Sequence, residues 1–526
     1  MRMPRILALR RVSLGTIIVA ALVAAVCAVP VAYLFVVILD EPAAAWAVIW
    51  RPETLSLLLR SLGLALAVGT TATLIAVPLA WLTTRSDLPG RRVWTVLAVL
   101  PLVIPSYIGA YLFVSALGPS GELQQLLSPL GVDRLPEIYG FFGAWLVLTL
   151  YTFPLVLLPV RAALRRMDPT LEEAARGMGR SQLEVARTVI LPQLVPAIGA
   201  GALLVSLYAL ADFGAVSILR FDSFTRVIYQ SYRSTFDRTG AAALAGTLVV
   251  VMLILLAIEA RFRSGRSYHR VGPGSARRTR TVPLGRWRWP AVGFCTVVAL
   301  FSFALPVAML IYWSAKSVAG STDWQLVLTA AANSFLLAIL AAAVAALAAL
   351  PVAWLGARAP GRLSRVVDTL TTSGYALPGI VVALALVFVG IRLVPFLYQS
   401  LPMTVIALVI VCLPLAITAT RAAVLQLPPR LEEAARGSGR SPLGVLSSVG
   451  IPLTRAGILG GAALVFITAI KELPVVVLLS PIGFSTLPLV IWQESTRAFF
   501  ESGAIPALVL LLVTAPGVWM LVGRDR

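Results

Sequence analysis

Charge is scarce in this 526-residue sequence, where Asp, Glu, Lys and Arg together make up 13%. Soluble globular chains carry nearly twice that share, which excludes a soluble fold. Histidine occurs once, as His269 in an Arg-rich segment, and a lone solvated histidine is not a ligand set. The three cysteines, Cys27, Cys295 and Cys412, sit in apolar runs and have neither disulfide-framework nor metal-site spacing. Lysine occurs only as Lys316, after Ala315, and Lys471, after Ile470. A phosphate-binding loop needs Gly-Lys followed by Ser or Thr, so nucleotide binding of that kind is excluded. With no catalytic triad, metal cluster or dinucleotide fingerprint, the chain is not read as an enzyme.

What the sequence has is apolar length. Hydrophobic residues make up 59% and mean hydropathy is +0.92. Runs of ~20 apolar residues recur, long enough to span a bilayer as helices. They do not alternate, which excludes a β-barrel. The expected fold is an all-α integral membrane protein with spans near 14–39, 55–83, 93–117, 138–164, 192–219, 240–260, 290–313, 330–357, 366–391, 402–420, 452–479 and 503–523, about twelve in all. The net charge of +20 suggests nucleic acid at first sight, but most of the 43 Lys and Arg fall in alternate loops. That is the positive-inside pattern, with both termini cytoplasmic and no nucleic-acid partner. Arg2, Arg5, Arg10 and Arg11 precede an apolar run to Leu39, too long for a cleaved signal core, so this run is expected to remain as the first span.

The chain also repeats itself. Residues 171–180 read LEEAARGMGR and residues 431–440 read LEEAARGSGR, identical at nine of ten positions and 260 apart. Ser61, Pro78, Trp81 and Pro105 match Ser334, Pro351, Trp354 and Pro378 at a spacing of 273. Pro154, Pro192 and Asp212 match Pro414, Pro452 and Glu472 at 260, so the first half carries about thirteen extra residues, placed in an outside loop near 117–138. Six spans per half make two parallel repeats about an axis along the membrane normal. The expected domains are 1–260, an Arg-rich cytoplasmic linker 261–289 rich in solvated charge near lipid headgroups, and 290–526. Many spans carry a proline, Pro78, Pro101, Pro105, Pro154, Pro351, Pro378 and Pro414, which kink the spans, and those at matching positions of the two halves can also shape a path through them.

The repeated stretch is polar and lies between spans four and five of each half. Asp168 suits an N-cap, Pro169 the first helical position, and Glu172 and Glu173 the positive end of a helix. Ala174 and Ala175 extend that helix, and Gly177 and Gly179 break it before Pro192. The second copy has Pro428 and Pro429, then Glu432, Glu433, Ala434, Ala435, Gly437 and Gly439. The flanking spans have diverged, so a constraint acts on these two handles that does not act on their neighbours, as docking of two similar partners would.

The pattern Glu173-Ala174-Ala175, Gly179, then Val189, Leu191 and Pro192 resembles the motif of bacterial ABC importer permeases, and so does Glu433-Ala434-Ala435, Gly439, then Val449, Ile451 and Pro452. The resemblance covers the whole chain as a fused pair of permease domains of the type I fold. It implies two copies of a cytoplasmic ATPase, one on each handle, with ATP and Mg held by those subunits and no cofactor on this chain. It also implies an extracytoplasmic binding protein. Residues 209–238 and 469–500 are similar to those of ferric iron permeases, with thiamine permeases as the runner-up. A proton-coupled secondary transporter, which can also have twelve spans in two repeats, is the alternative of another class.

Charges inside spans are costly and mark function. Asp212 and Glu472, with Lys471 beside the latter, are therefore candidates for a translocation pathway, in balance with simple neutralisation at the interface. In the outer segment 220–239, Arg226 and Arg233, with Tyr229 and Tyr232, are candidates for docking the binding protein.

Overall fold

The computed structural model describes residues 12–119, 121–131, 135–167, 169–234, 237–264, 281–319, 322–497 and 499–523. The N-terminal arginines, Asp133, Arg134, Asp168, His269 and the middle of the linker lie outside them. In a bilayer every backbone N–H and C=O must be satisfied within the chain, and helices do this locally. Among the described residues nine helices are long and apolar enough to cross a membrane, and a bent pair makes ten. Two shorter apolar helices, Gly379–Arg392 and Phe500–Pro516, occupy the remaining expected spans.

Four of the expected continuous spans are broken. Span 93–117 is Arg91–Val99, a 3₁₀ turn Leu100–Val103, then Ser106–Leu117, with a bend of 97°. Span 366–391 repeats this as Arg362–Thr372, Ser373–Ala376 and Gly379–Arg392. Pro105 (φ −58, ψ 145) and Pro378 (φ −57, ψ 140) stand at the start of the second limbs, where the missing proline N–H costs nothing. Spans 192–219 and 452–479 end early, at Ala211 and Ala469, and resume as short helices Gly214–Ile218 and Pro474–Leu479. Pro78 and Pro351 lie inside the long helices Pro52–Arg85 and Trp324–Arg358.

Small residues bring the helices of each half together. Val68, Ala72, Ala76 and Ala80 form a fully buried stripe at four-residue spacing on Pro52–Arg85, and Ala341, Ala345 and Ala349 do so on Trp324–Arg358. A Cβ at Gly201 would lie 2.8 Å from the Val156 backbone, and one at the matched Gly461 would lie 3.1 Å from Ala416. Without a hydrophobic drive between helices in lipid, such close backbone approach is what holds them. The matched serines have matched tasks. Ser61 Oγ accepts the Phe224 N–H at 3.2 Å, and Ser334 Oγ accepts the Leu487 N–H at 2.8 Å. Each pins the first turn of an outer helix, Phe224–Arg233 or Leu487–Thr496.

The first span of each half reaches across to the other. Leu14–Asp40 lies against Trp324–Arg358, Arg362–Thr372 and Gly379–Arg392, and Leu305–Ala319 packs on Ser106–Leu117. Ion pairs close both crossings, Asp40–Arg392 at 3.1 Å and Lys316–Glu122 at 3.1 Å. Between them runs an aromatic seam in which Tyr33 and Tyr232 meet Phe388, Phe213 meets Trp492, and Tyr111 meets Phe500.

Candidate functional site

Each handle folds as a nine-residue helix, Pro169–Gly177 and Pro429–Gly437. The first glycine of each pair stays helical, and it is Gly179 (φ 81) and Gly439 (φ 83) that enter the left-handed region. The Gly179 N–H donates to the Arg176 carbonyl (2.9 Å) and the Arg180 N–H to that of Ala175 (3.2 Å). Gly439 and Arg440 repeat this onto Arg436 (3.0 Å) and Ala435 (3.4 Å). These crossed bonds satisfy the last carbonyls of the helix, and glycine takes the required φ without a steric cost. The chain then turns into a second short helix, where Ser181 Oγ accepts the Glu184 N–H (3.3 Å) and Ser441 Oγ accepts the Gly444 N–H (3.2 Å). In the first handle Glu184 reciprocates by accepting the Ser181 N–H at 2.8 Å, which holds its carboxyl below the usual range. A π-helical turn follows in both halves, Ala186–Ile190 and Leu446–Gly450, and opens into the next span. Such turns recur at functional sites.

The two glutamates of each handle face opposite ways. Glu173 and Ala174, like Glu433 and Ala434, are exposed, as are Gly179 and Gly439. Glu172 and Glu432 are buried, with Ala175 beside the former. Of the residues expected to couple to the ATPase, these two turn their carboxylates inward, towards Arg85 and Arg358. Arg85, the last residue of its long helix, sits 3.0 Å from Glu172 and donates to the Leu164 carbonyl at 2.9 Å. Arg358, the last residue of its own, donates to Glu432 through Nε at 2.9 Å and to the Leu427 carbonyl at 2.8 Å. Arg176 and Arg436 complete the two clusters at 3.6 and 3.8 Å from the same carboxylates. Sequence reading missed Arg85 and Arg358, although they extend the Ser61, Pro78, Trp81 series at the same spacing of 273.

The structure brings the intramembrane charges to the breaks. Asp212 ends the helix Leu191–Ala211 and is buried. Its carboxylate accepts the Ser106 hydroxyl and the Ala215 (2.9 Å) and Val216 (3.3 Å) N–H groups, so it lies between two helix N-termini. Glu472 occupies the equivalent place, and its carboxylate fills the space that a Cβ at Gly379 would need. Gly379 is the repeat mate of Ser106. A Cβ at Gly214, two residues past Asp212, would meet Leu473 at 3.1 Å, so the two breaks touch across the seam. Lys471 is half-buried and its Nζ lies 3.5 Å from the Leu102 carbonyl in the other half's 3₁₀ turn.

The outer helix Phe224–Arg233 divides the remaining candidates. Arg226 is paired with Asp222 one turn back and only 19% of its side chain is exposed, whereas Arg233 is exposed. Tyr229 and Tyr232 are partly buried, in ring contact with Phe213 and Phe388.

Two halves with matched handles, broken spans and a charged seam define a transmembrane permease of an ABC importer, whose ATPase and substrate-binding protein are separate subunits. Residues 72–265 and 346–522 match the family of binding-protein-dependent transport system inner membrane components, and the chain belongs to that family. It is 31% identical over 477 residues to the Fe(3+)-transport system permease protein FbpB 2 of Haemophilus influenzae, covering 90% of each chain. It is 24% identical over 450 residues to the ferric transport system permease protein FbpB of Actinobacillus pleuropneumoniae, covering 80% of this chain and 64% of that one. The molybdenum transport system permease protein ModB of Escherichia coli is 29% identical over 203 residues, which are 37% of this chain but 87% of that protein. A relative of half the length thus corresponds to one part of this chain, as a fused pair requires.

Proposed function

We propose that this permease imports ferric iron delivered by an extracytoplasmic binding protein. The observation that carries this is the 31% identity over 90% of both chains to a ferric iron permease. Each handle docks one copy of the same ATPase, which supplies ATP and Mg, through Glu173, Ala174 and Gly179 in the first half and Glu433, Ala434 and Gly439 in the second. The identical helix exits at Gly179 and Gly439 support equal partners. Both termini are cytoplasmic. For the N-terminus, the support is that Val12, Ser13 and Gly15 line one cavity of about 560 Å³ together with handle residues Glu432 and Arg436. Asp212, Glu472 and Lys471 lie on the pathway, and Arg233 on the outer helix takes the binding protein, with Arg226 held back by Asp222.

The test is uptake of labelled ferric iron by cells lacking the gene and by the same cells with the gene restored, in a background without another iron importer. Loss and rescue are expected. Unchanged uptake would discard iron and leave the permease class standing.

A further inference from the structure

We propose that Arg85 and Arg358 are positioning residues that carry the movement of each handle into the second span of its half. The inference rests on the reading that an ATPase docks on the handles. Each arginine is the terminal residue of the longest helix in its half, 34 residues for Pro52–Arg85 and 35 for Trp324–Arg358. Each guanidinium holds three parts together: its own helix, the handle glutamate, and a carbonyl from the segment that leads into the handle, Leu164 or Leu427. The side chains of Arg85 and Glu172 are 4% and 8% exposed, and those of Arg358 and Glu432 are 8% and 6%.

Burial decides the mechanical character of this joint. An apolar contact can slide by a rotamer, but separating a desolvated ion pair leaves two uncompensated charges, so the pair has one register. Handle and helix end therefore move together. Seven residues before each arginine stands a proline inside the helix, Pro78 and Pro351. Proline removes one backbone hydrogen bond and crowds the preceding turn, which makes a bending point there. A stiff end clamped to the handle, followed by a bending point, converts a push on the handle into a swing of the rest of the span. The same arrangement occurs twice, although the supporting carbonyls, Leu164 and Leu427, are not repeat mates.

The experiment uses the full permease–ATPase complex in lipid vesicles, with the three cysteines replaced. Spin labels at the exposed handle positions Met178 and Ser438 report handle movement, and labels at Glu53 and Gln325 report the far ends of the second spans. In the unmutated complex, addition of ATP should shift both distances. With Arg85→Glu and Arg358→Glu the handle shift should remain and most of the far-end shift should be lost. Adding Glu172→Arg and Glu432→Arg, which restores the pairs with reversed charge, should recover it. A full far-end shift in the Arg→Glu variant would overturn the proposal, as would its loss without recovery in the reversed pair. Should the Arg→Glu variant fail to accumulate, Arg85→Gln with Arg358→Gln carries the same comparison. No handle shift in the unmutated complex would instead overturn the docking reading, and the positioning role with it.

Discussion

At the break of its third span the first half presents Ser106, Tyr107 and Tyr111, whereas the same positions of the second half hold Gly379, Ile380 and Leu384. The backbone is the same in both, a 3₁₀ turn followed by an extended proline and a new helix. The acid differs with its surroundings: Asp212 is short and meets a serine hydroxyl, and Glu472 is one methylene longer and fills the gap over a glycine. The handles show the opposite behaviour, with sequence, exit geometry and buried ion pair all retained. On the proposed reading the breaks line a single pathway from both halves at once, so only the joint result matters and the halves are free to diverge. Under the proposed docking of one ATPase copy on each handle, the two handles are each constrained separately.

The largest effect should come from breaking the retained feature. Glu432→Ala strands Arg358 as a buried charge, and loss of one partner of such a pair costs about 3–5 kcal/mol. Glu172→Ala should cost less, because Arg358 donates a directed bond to Glu432 at 2.9 Å whereas the Arg85–Glu172 contact at 3.0 Å leaves Glu172 Oε1 without one. Thermal unfolding of the purified permease ranks the two, and equal losses would refute the distinction.

The diverged feature gives the next effect. Gly379→Ser puts a side chain where Glu472 lies and should destabilise by about 1–3 kcal/mol, as overpacking does. Adding Glu472→Asp rebuilds the first half's serine–aspartate pair and should recover most of the loss in the same unfolding assay. Failure to recover would mean that the two breaks are not interchangeable.

The smallest effect concerns the crossings between halves. Asp40–Arg392 places the acid on a half's first span, and Lys316–Glu122 places the base there. The Asp40–Arg392 pair is exposed on both sides, so Arg392→Ala should cost about 0–1 kcal/mol. That difference should vanish at high salt. A larger or salt-independent loss would show that this pair orients the halves rather than decorates them.

The membrane class, the two repeats and the handles are legible in sequence because each depends on local quantities: hydropathy over a span, periodic recurrence of a motif, and the turn chemistry of glycine. The breaks escape such reading. Hydropathy is summed over a window, and Leu100–Val103 with Pro105 are as apolar as the helix they interrupt. The role of Glu172 escapes it too, since Glu172 and Glu173 are adjacent and equally charged, and only the packing of the helix against Arg85 turns one inward.

By itself, then, the amino-acid order determined that this chain lies in a membrane, that it is built twice, and that each copy offers a glycine-ended helix. Tertiary structure alone decided which carboxylates are exposed, that Ser106 meets Asp212 across 106 positions, and that Lys471 reaches a carbonyl of the other half. Local preferences act over a few residues through backbone torsion and hydrogen bonding. Pairings across the fold depend on where close-packed helices come to rest, and small residues such as Ala72 and Ala345 set that distance.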